Sequence, residues 1–303
     1  MPNEGLSLRE LRPLELSPAY GENESYWPLE SRGWVFQERL LSPRTLIFSR
    51  DQVILVNEWH RLVINYARLQ LTYHEDRLPA IAALMGQMYR LRGNDVYIAG
   101  LWKSSLILDL QWHKPNLSFG QFSESSQPRL SLPVPTWLGA SVPGHISYIH
   151  ASAELSSISK LLDLSFIPVG PANFGYVTDV SIALEGPVAT AVRKPSKGIF
   201  TSQKSSYEIP GLHTDLIRSY PDFDLPKDNK AARISLKVIF LSRNRYDAVE
   251  EFSGLVLLEA EHKAYKRDGF VKLRASSYDG DEGKLRELRE YVASLPIGCA
   301  TII

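Results

Sequence analysis

A chain of 303 residues, 44% hydrophobic and 22% charged, has ordinary globular composition and the length of about two domains. Its 34 basic residues balance 34 acidic ones, which leaves no net field to gather nucleic acid or an anionic membrane. One cysteine, Cys299, excludes an internal disulfide and a cysteine-based metal site, and fits a reducing, cytoplasmic setting.

Residues 1–30 are rich in proline, glutamate and serine and read as an irregular lead-in, in which Leu11, Leu14 and Leu16 alternate as one short edge strand would. Glu4, Arg9, Glu10 and Arg12 break any signal-peptide core, and no apolar run approaches the roughly 18 residues of a membrane helix. Asn23 and Asn116 open glycosylation triplets that, without a secretion signal, are read as chance. Residues 31–51 read SRGWVFQERLLSPRTLIFSRD. Ser31 is a candidate N-cap; Trp34, Phe36, Leu40 and Leu41 share one arc at about 100° per residue; Ser42-Pro43 stops the helix. Gln37 falls in the middle of that arc, and Glu38 sits at its edge beside Trp34. An amide aimed into an apolar face needs partners or costs roughly 1–3 kcal/mol. Gln37 and Glu38 therefore either brace neighbouring backbone or hold a functional carboxylate beside an indole, and the chemistry alone leaves both open. Residues 44–48 continue as a β-branched and aromatic run, with a turn at 49–51 leading into 53–56.

The spacing predicts the cleanest amphipathic helix over 58–71. Trp59, Leu62, Val63, Tyr66, Ala67 and Leu69 lie on one side, with Arg61, Asn65 and Arg68 on the other. His60, near the apolar border, reads as a hydrogen-bonded boundary residue and not as a ligand. Thr72-x-x-Glu75 is a capping box for the next helix, Pro79 fits its first turn, and Gly93 closes it. That helix, with only a narrow polar strip, is expected to be the most buried. Residues 96–112 read as a further apolar helical segment, its aromatics belonging to a core and not to a cofactor box. Residues 114–135, interspersed with proline and serine, read as a linker or long surface loop. Beyond it come β-type runs at 146–149, 164–169, 176–184, 188–192, 234–241, 255–260 and 270–273. A hairpin is expected over 254–274 with its turn near 263–268, an irregular insertion over 195–230, and a final amphipathic helix over 282–295. The fold class is therefore α+β: a mainly helical unit over 31–113, the linker 114–135, then a β-rich unit over 136–303 carrying a terminal helix.

The stretch Arg32-Gly33-Trp34-x-x-Gln37-Glu38-Arg39-x-Leu41-Ser42-Pro43-Arg44 resembles the closing motif of the fungal heterokaryon-incompatibility (HET) domain family. The similarity continues through Phe48, Asp51-Gln52, Trp59, Val63, Tyr66, Leu71-Thr72, Asp76-Arg77-Leu78 and Ala80-Ile81, then Tyr97-x-Ala99-Gly100-Leu101-Trp102 and Leu110-x-Trp112. Pro135-Thr136-Trp137 with Ala140-Ser141 resembles a weaker downstream element, although Leu138 and Gly139 replace its second Ser-Trp pair. The family's upstream segments find no counterpart in residues 1–30, so the expectation is the end of a HET domain plus its downstream region, whether a truncated gene, a wrongly placed start or a reduced paralogue, without activity of its own. The resemblance implies a role in fungal non-self recognition and incompatibility cell death, with protein partners in that signalling. Through a suggested kinship of HET with TIR domains it also implies an alternative, an NAD-cleaving enzyme with Glu38 as its carboxylate.

Other chemistry is thin. Phosphate-loop, dinucleotide, nucleophile-elbow and His-Glu-x-x-His patterns are missing from the sequence. His145 and His150 have no carboxylate or cysteine at metal-ligand spacing, and Asp279-Gly280-Asp281-Glu282-Gly283 reads as a solvated turn capping the last helix. His74-Glu75-Asp76 places acids at a helix start, where the dipole favours them. The sequence thus calls for no metal and no cofactor, and leaves the oligomeric state open.

Overall fold

The computed structural model describes residues 52–67, 76–93, 95–115, 134–149, 154–169, 177–195, 205–223, 234–277 and 282–303. The expected helix and motif over 31–51, the edge strand near Leu11, the capping-box residues Thr72 and Glu75, His150, and most of the 114–135 linker lie outside these residues.

Helix α1 spans Gln52–Ala67 and α2 spans Arg77–Leu91. The run 53–56, expected to precede the helix, is its first turn instead. Val56 extends the Trp59/Leu62/Tyr66 stripe by one turn and is buried with it, so packing outweighs the modest helix penalty of β-branched residues. Along α2, Leu78, Ile81, Ala82, Met85 and Met88 recur at helical spacing and are buried. Gly93, at φ +62°, ends the helix as expected, while the Arg92 N–H still reaches Met88 O. Asp76 stands at its start without a side-chain cap bond.

The segment expected to be helical over 96–112 is mostly not. Strands β1 (Tyr97–Ile98) and β2 (Leu101–Trp102) form a two-residue hairpin turning at Ala99 and Gly100, both with positive φ. That is the twist a tight hairpin needs, and Gly100, at φ +107°, supplies it without strain. Only α3, Leu106–Asp109, is helical, preceded by a 3₁₀ turn at Lys103–Ser105. A helical spacing of apolar residues was present, but a glycine obliging a turn overrode it.

The β-rich part is a mixed sheet of β3 (Ser156–Ser157), β4 (Lys160–Pro168), β5 (Val177–Pro195), β6 (Ser205–Glu208), β7 (Ile217–Pro221), β8 (Ile234–Tyr246), β9 (Val249–Glu259), β10 (Ala264–Ser276) and β11 (Ile297–Ile302). Helix α4, Glu282–Ser294, precedes β11. The ladders run β5–β8–β9–β10–β11 and return to β5, so the sheet closes on itself as a small barrel. The β10–β11 pairing is parallel and the other ladders antiparallel. Strand β5 is single where two runs were expected; it continues through Gly186-Pro187 because β11 pairs across that point. The insertion expected over 195–230 contributes β6 and β7, which pair with β5 and β10. The run 146–149 gives only one bridge, between His113 and Ser147.

Alternate residues along each strand separate two cores. On β8, Ile239 and Leu241 join one cluster, while Leu236, Val238 and Phe240 join the other. The first cluster also takes in Leu78, Ile98, Leu101, Leu106, Leu110, Trp137 and Leu138, so the helical unit and one face of the sheet share a core. The second packs against α4 through Leu288 and Val292 and against the β6–β7 region through Tyr207, Ile209 and Leu216.

Candidate functional site

The motif residues Arg32, Gly33, Trp34, Gln37, Glu38, Arg39, Leu41, Ser42, Pro43 and Arg44 lie outside the described residues. Downstream of them the fold brings together a cluster of buried charged and aromatic side chains.

Its first half sits in the helical unit. Helix α1 presents His60 and α3 presents Asp109, both buried, with His60 Nε2 2.8 Å from Asp109 Oδ1. The other carboxylate oxygen accepts from the Trp102 backbone N–H at 2.8 Å and from the Ser105 hydroxyl at 3.0 Å. Ser105 in turn accepts from Arg92 Nη1 at 3.0 Å. The Arg92 guanidinium lies 5.0 Å from the Trp102 ring centre and 3.5 Å from Asp95. Burial lowers its pKa, and the charges of Asp109 and Asp95 work the other way. The imidazole stacks on Tyr148 with centroids 3.9 Å apart. Burial, and then the Asp109 charge, push the Tyr148 phenol upward, keeping it neutral at ordinary pH.

The second half is set by a β-bulge in β10, where the register with β9 shifts between Arg267 and Gly269. As successive residues of a strand do, two adjacent charges there point to opposite faces. Arg267 turns toward the helical unit, pairing with Asp222 at 3.1 Å and donating to Leu110 O at 2.9 Å and Trp112 O at 2.5 Å. Its guanidinium also lies 3.4 Å from the Trp112 ring centre, and both ion-pair side chains are fully buried. Asp268 turns the other way, accepting from Arg193 Nη1 at 2.9 Å and from the Tyr207 hydroxyl at 2.8 Å. Burial raises the Asp268 pKa against the pull of Arg193. The Arg267 charge acts on the Tyr148 phenol against the Asp109 charge, so both halves bear on this one buried ring.

Beside it, Val63, Tyr66, Ala99, Leu138, Ile146 and Tyr148 wall an apolar cavity of about 40 Å³. His113 packs against Tyr220 and Phe270, and burial, then the charges of Lys272 and Arg267, bring its pKa down to about 3. Among the described residues no group of three His, Cys, Asp or Glu is placed to hold a metal; Cys299 is exposed and His145 is exposed. None of the described helices is long and apolar enough to cross a membrane.

A histidine held by a carboxylate is the orienting half of an acid–base pair. Here the Ser105 hydroxyl donates to the carboxylate and not to the imidazole, and the other ring nitrogen, Nδ1, is buried without a hydrogen-bond partner. The arrangement holds α1, α3 and the hairpin together. Sequence reasoning identified His60 as hydrogen-bonded but missed Asp109, Asp222, Arg267 and Asp268. One signal was available: Leu108-Asp109-Leu110 sets a charge inside an apolar run, where a charge needs a dedicated partner. Compared with family models, curated proteins and solved structures, the chain gives no match.

Proposed function

We propose that this chain is a relative of the fungal HET proteins that takes part in non-self recognition through protein contacts, without catalysing a reaction. The family reading rests on the Trp34-x-x-Gln37-Glu38 motif and the ordered aromatic residues after it. The observation that carries the non-catalytic reading is that the Asp109 carboxylate and the Arg267 guanidinium are engaged by protein partners. Asp109 is engaged by His60, Trp102 and Ser105, which commits it to holding the helical unit together, and Arg267 by Asp222, Leu110 and Trp112, which commits it to holding that unit on the sheet. A catalytic group, by contrast, must be within hydrogen-bond reach of a substrate.

The test is expression of the chain alone in a fungal host, together with an NAD-consumption assay on purified protein. Normal growth and no NAD loss are expected, with Glu38→Ala changing folding stability at most. Growth arrest, or NAD loss abolished by Glu38→Ala, would replace this reading with the TIR-like one.

A further inference from the structure

The turn end of the β8–β9 hairpin gathers three arginines around one carboxylate. Arg243 and Arg245 stand two residues apart on β8 and so share a face, and Glu250 on β9 lies directly opposite Arg245. This is the face against which α4 packs, since Phe252, opposite Arg243, joins Leu288 in one apolar cluster. The residue after Leu288, Arg289, reaches the same point. Glu250 is buried, and Arg243 Nε lies 2.5 Å from it, Arg245 Nε 3.5 Å and Arg289 Nε 2.6 Å.

A buried carboxylate requires a charged partner, and one guanidinium balances its charge. Two positive charges are left over, and among the described residues no second carboxylate pairs with any of the three arginines. Holding like charges this close costs free energy unless an anion joins them. Arg245 and Arg289 meet Glu250 through Nε, and their terminal nitrogens have no partner among the described residues. Their side chains are 55% and 52% exposed, so the buried carboxylate forms a floor that orients a rim of accessible donors. Such a rim matches a phosphate monoester, which is close to dianionic at neutral pH and offers three acceptor oxygens. Arg289 also borders a cleft of about 520 Å³ with Ser277, Glu282, Gly283, Leu285 and Arg286. That volume suits a small molecule. The cleft wall is mostly polar, and Glu282 adds an acceptor, so hydroxyl groups complement it and an aromatic base does not.

We propose that this hairpin end binds a sugar phosphate, with the phosphate on Arg243, Arg245 and Arg289 and the hydroxylated body in the adjoining cleft. Calorimetric titration of the full chain with ribose 5-phosphate is expected to show saturable binding about tenfold tighter than that of inorganic phosphate, and ribose is expected not to bind. Arg245→Gln removes the longest of the three contacts to Glu250, so the fold is kept, and is expected to weaken both phosphates about tenfold. Arg289→Gln is expected to do the same, with a thermal midpoint confirming that it folds, while Glu282→Ala weakens ribose 5-phosphate alone. Lys266→Gln, an equal loss of charge at an exposed site on β10, is expected to change neither affinity. Absence of saturable binding by either phosphate overturns the proposal. So does a loss in Lys266→Gln as large as in Arg245→Gln, which would mean attraction by general charge. Equal affinity for the two phosphates overturns the sugar assignment, since the cleft then contributes nothing.

Discussion

At the scale of single residues, His113 shows how the fold fixes a protonation state. In the unfolded chain its imidazole takes a proton near the ordinary pH of about 6.5. In the native state, burial against Tyr220 and Phe270 keeps it neutral until the pH falls to about 3. Its folded pKa is thus depressed, so the unfolded chain binds the extra proton throughout that window. Stability from this residue is whole above about pH 6.5 and is lost progressively toward pH 3. Urea titrations at pH 7 and pH 5 are expected to differ by about 2 kcal/mol more in the wild type than in His113→Phe. Equal pH dependence in the two proteins would mean that the ring is hydrated. The apolar neighbours of His113 come from β7 and β10, remote in sequence, so nothing local announced this burial.

The element that most shapes the site is the bulge in β10. The sequence reading put a hairpin turn near 263–268, but the chain turns just before, where His262 and Lys263 adopt positive φ. Asp268 is the bulged residue within a continuous strand. Local composition does not separate these cases, since lysine, arginine, aspartate and glycine serve both a turn and a bulge. What decides is the partner strand, which opposes Arg267 and Gly269 with adjacent residues of β9, Leu257 and Val256. Gly269 is required there for space. A Cβ at this position would lie 2.7 Å from Tyr220 O and 2.8 Å from Pro221 Cα, and would collide with the Tyr207 hydroxyl. Backbone atoms cannot swing aside, so Gly269→Ala is expected to cost about 1–3 kcal/mol in a denaturant titration. An unchanged midpoint would show that β7 does not pack against this turn of the strand.

For the whole molecule, the helical unit and the closed sheet share one apolar cluster, and Arg267 ties them with an ion pair and two backbone acceptors. A shared core predicts shared unfolding. Tryptophan fluorescence reports Trp59, Trp102 and Trp112 in the described helical unit and Trp137 beyond it, and far-ultraviolet dichroism reports the strands; the two are expected to give one coincident transition. Arg267→Met removes the ion pair to the buried Asp222 carboxylate and both backbone hydrogen bonds, and is expected to lower stability by about 3–5 kcal/mol in both signals together. Separate transitions in the wild type would mean that the junction holds two independent units.

By itself, the sequence determined the α+β class, the amphipathic stripe of α1, the buried α2 with its glycine stop, most of the strand positions, and α4. Those features follow from periodicity and from the backbone freedom of single residues, both of which are local. The family resemblance likewise rests on order and spacing over residues 32–112. Only the tertiary structure decided that 97–102 is a hairpin, that β5 runs unbroken through Gly186-Pro187, and that Asp109, Asp222, Arg267 and Asp268 find partners. It also made the last six-residue strand, β11, a bridge between β10 and β5. The physical reason is the same in each case. A ladder, a bulge or a buried ion pair gains its free energy from a partner far along the chain, and a linear pattern holds no trace of which partner the closed sheet will bring.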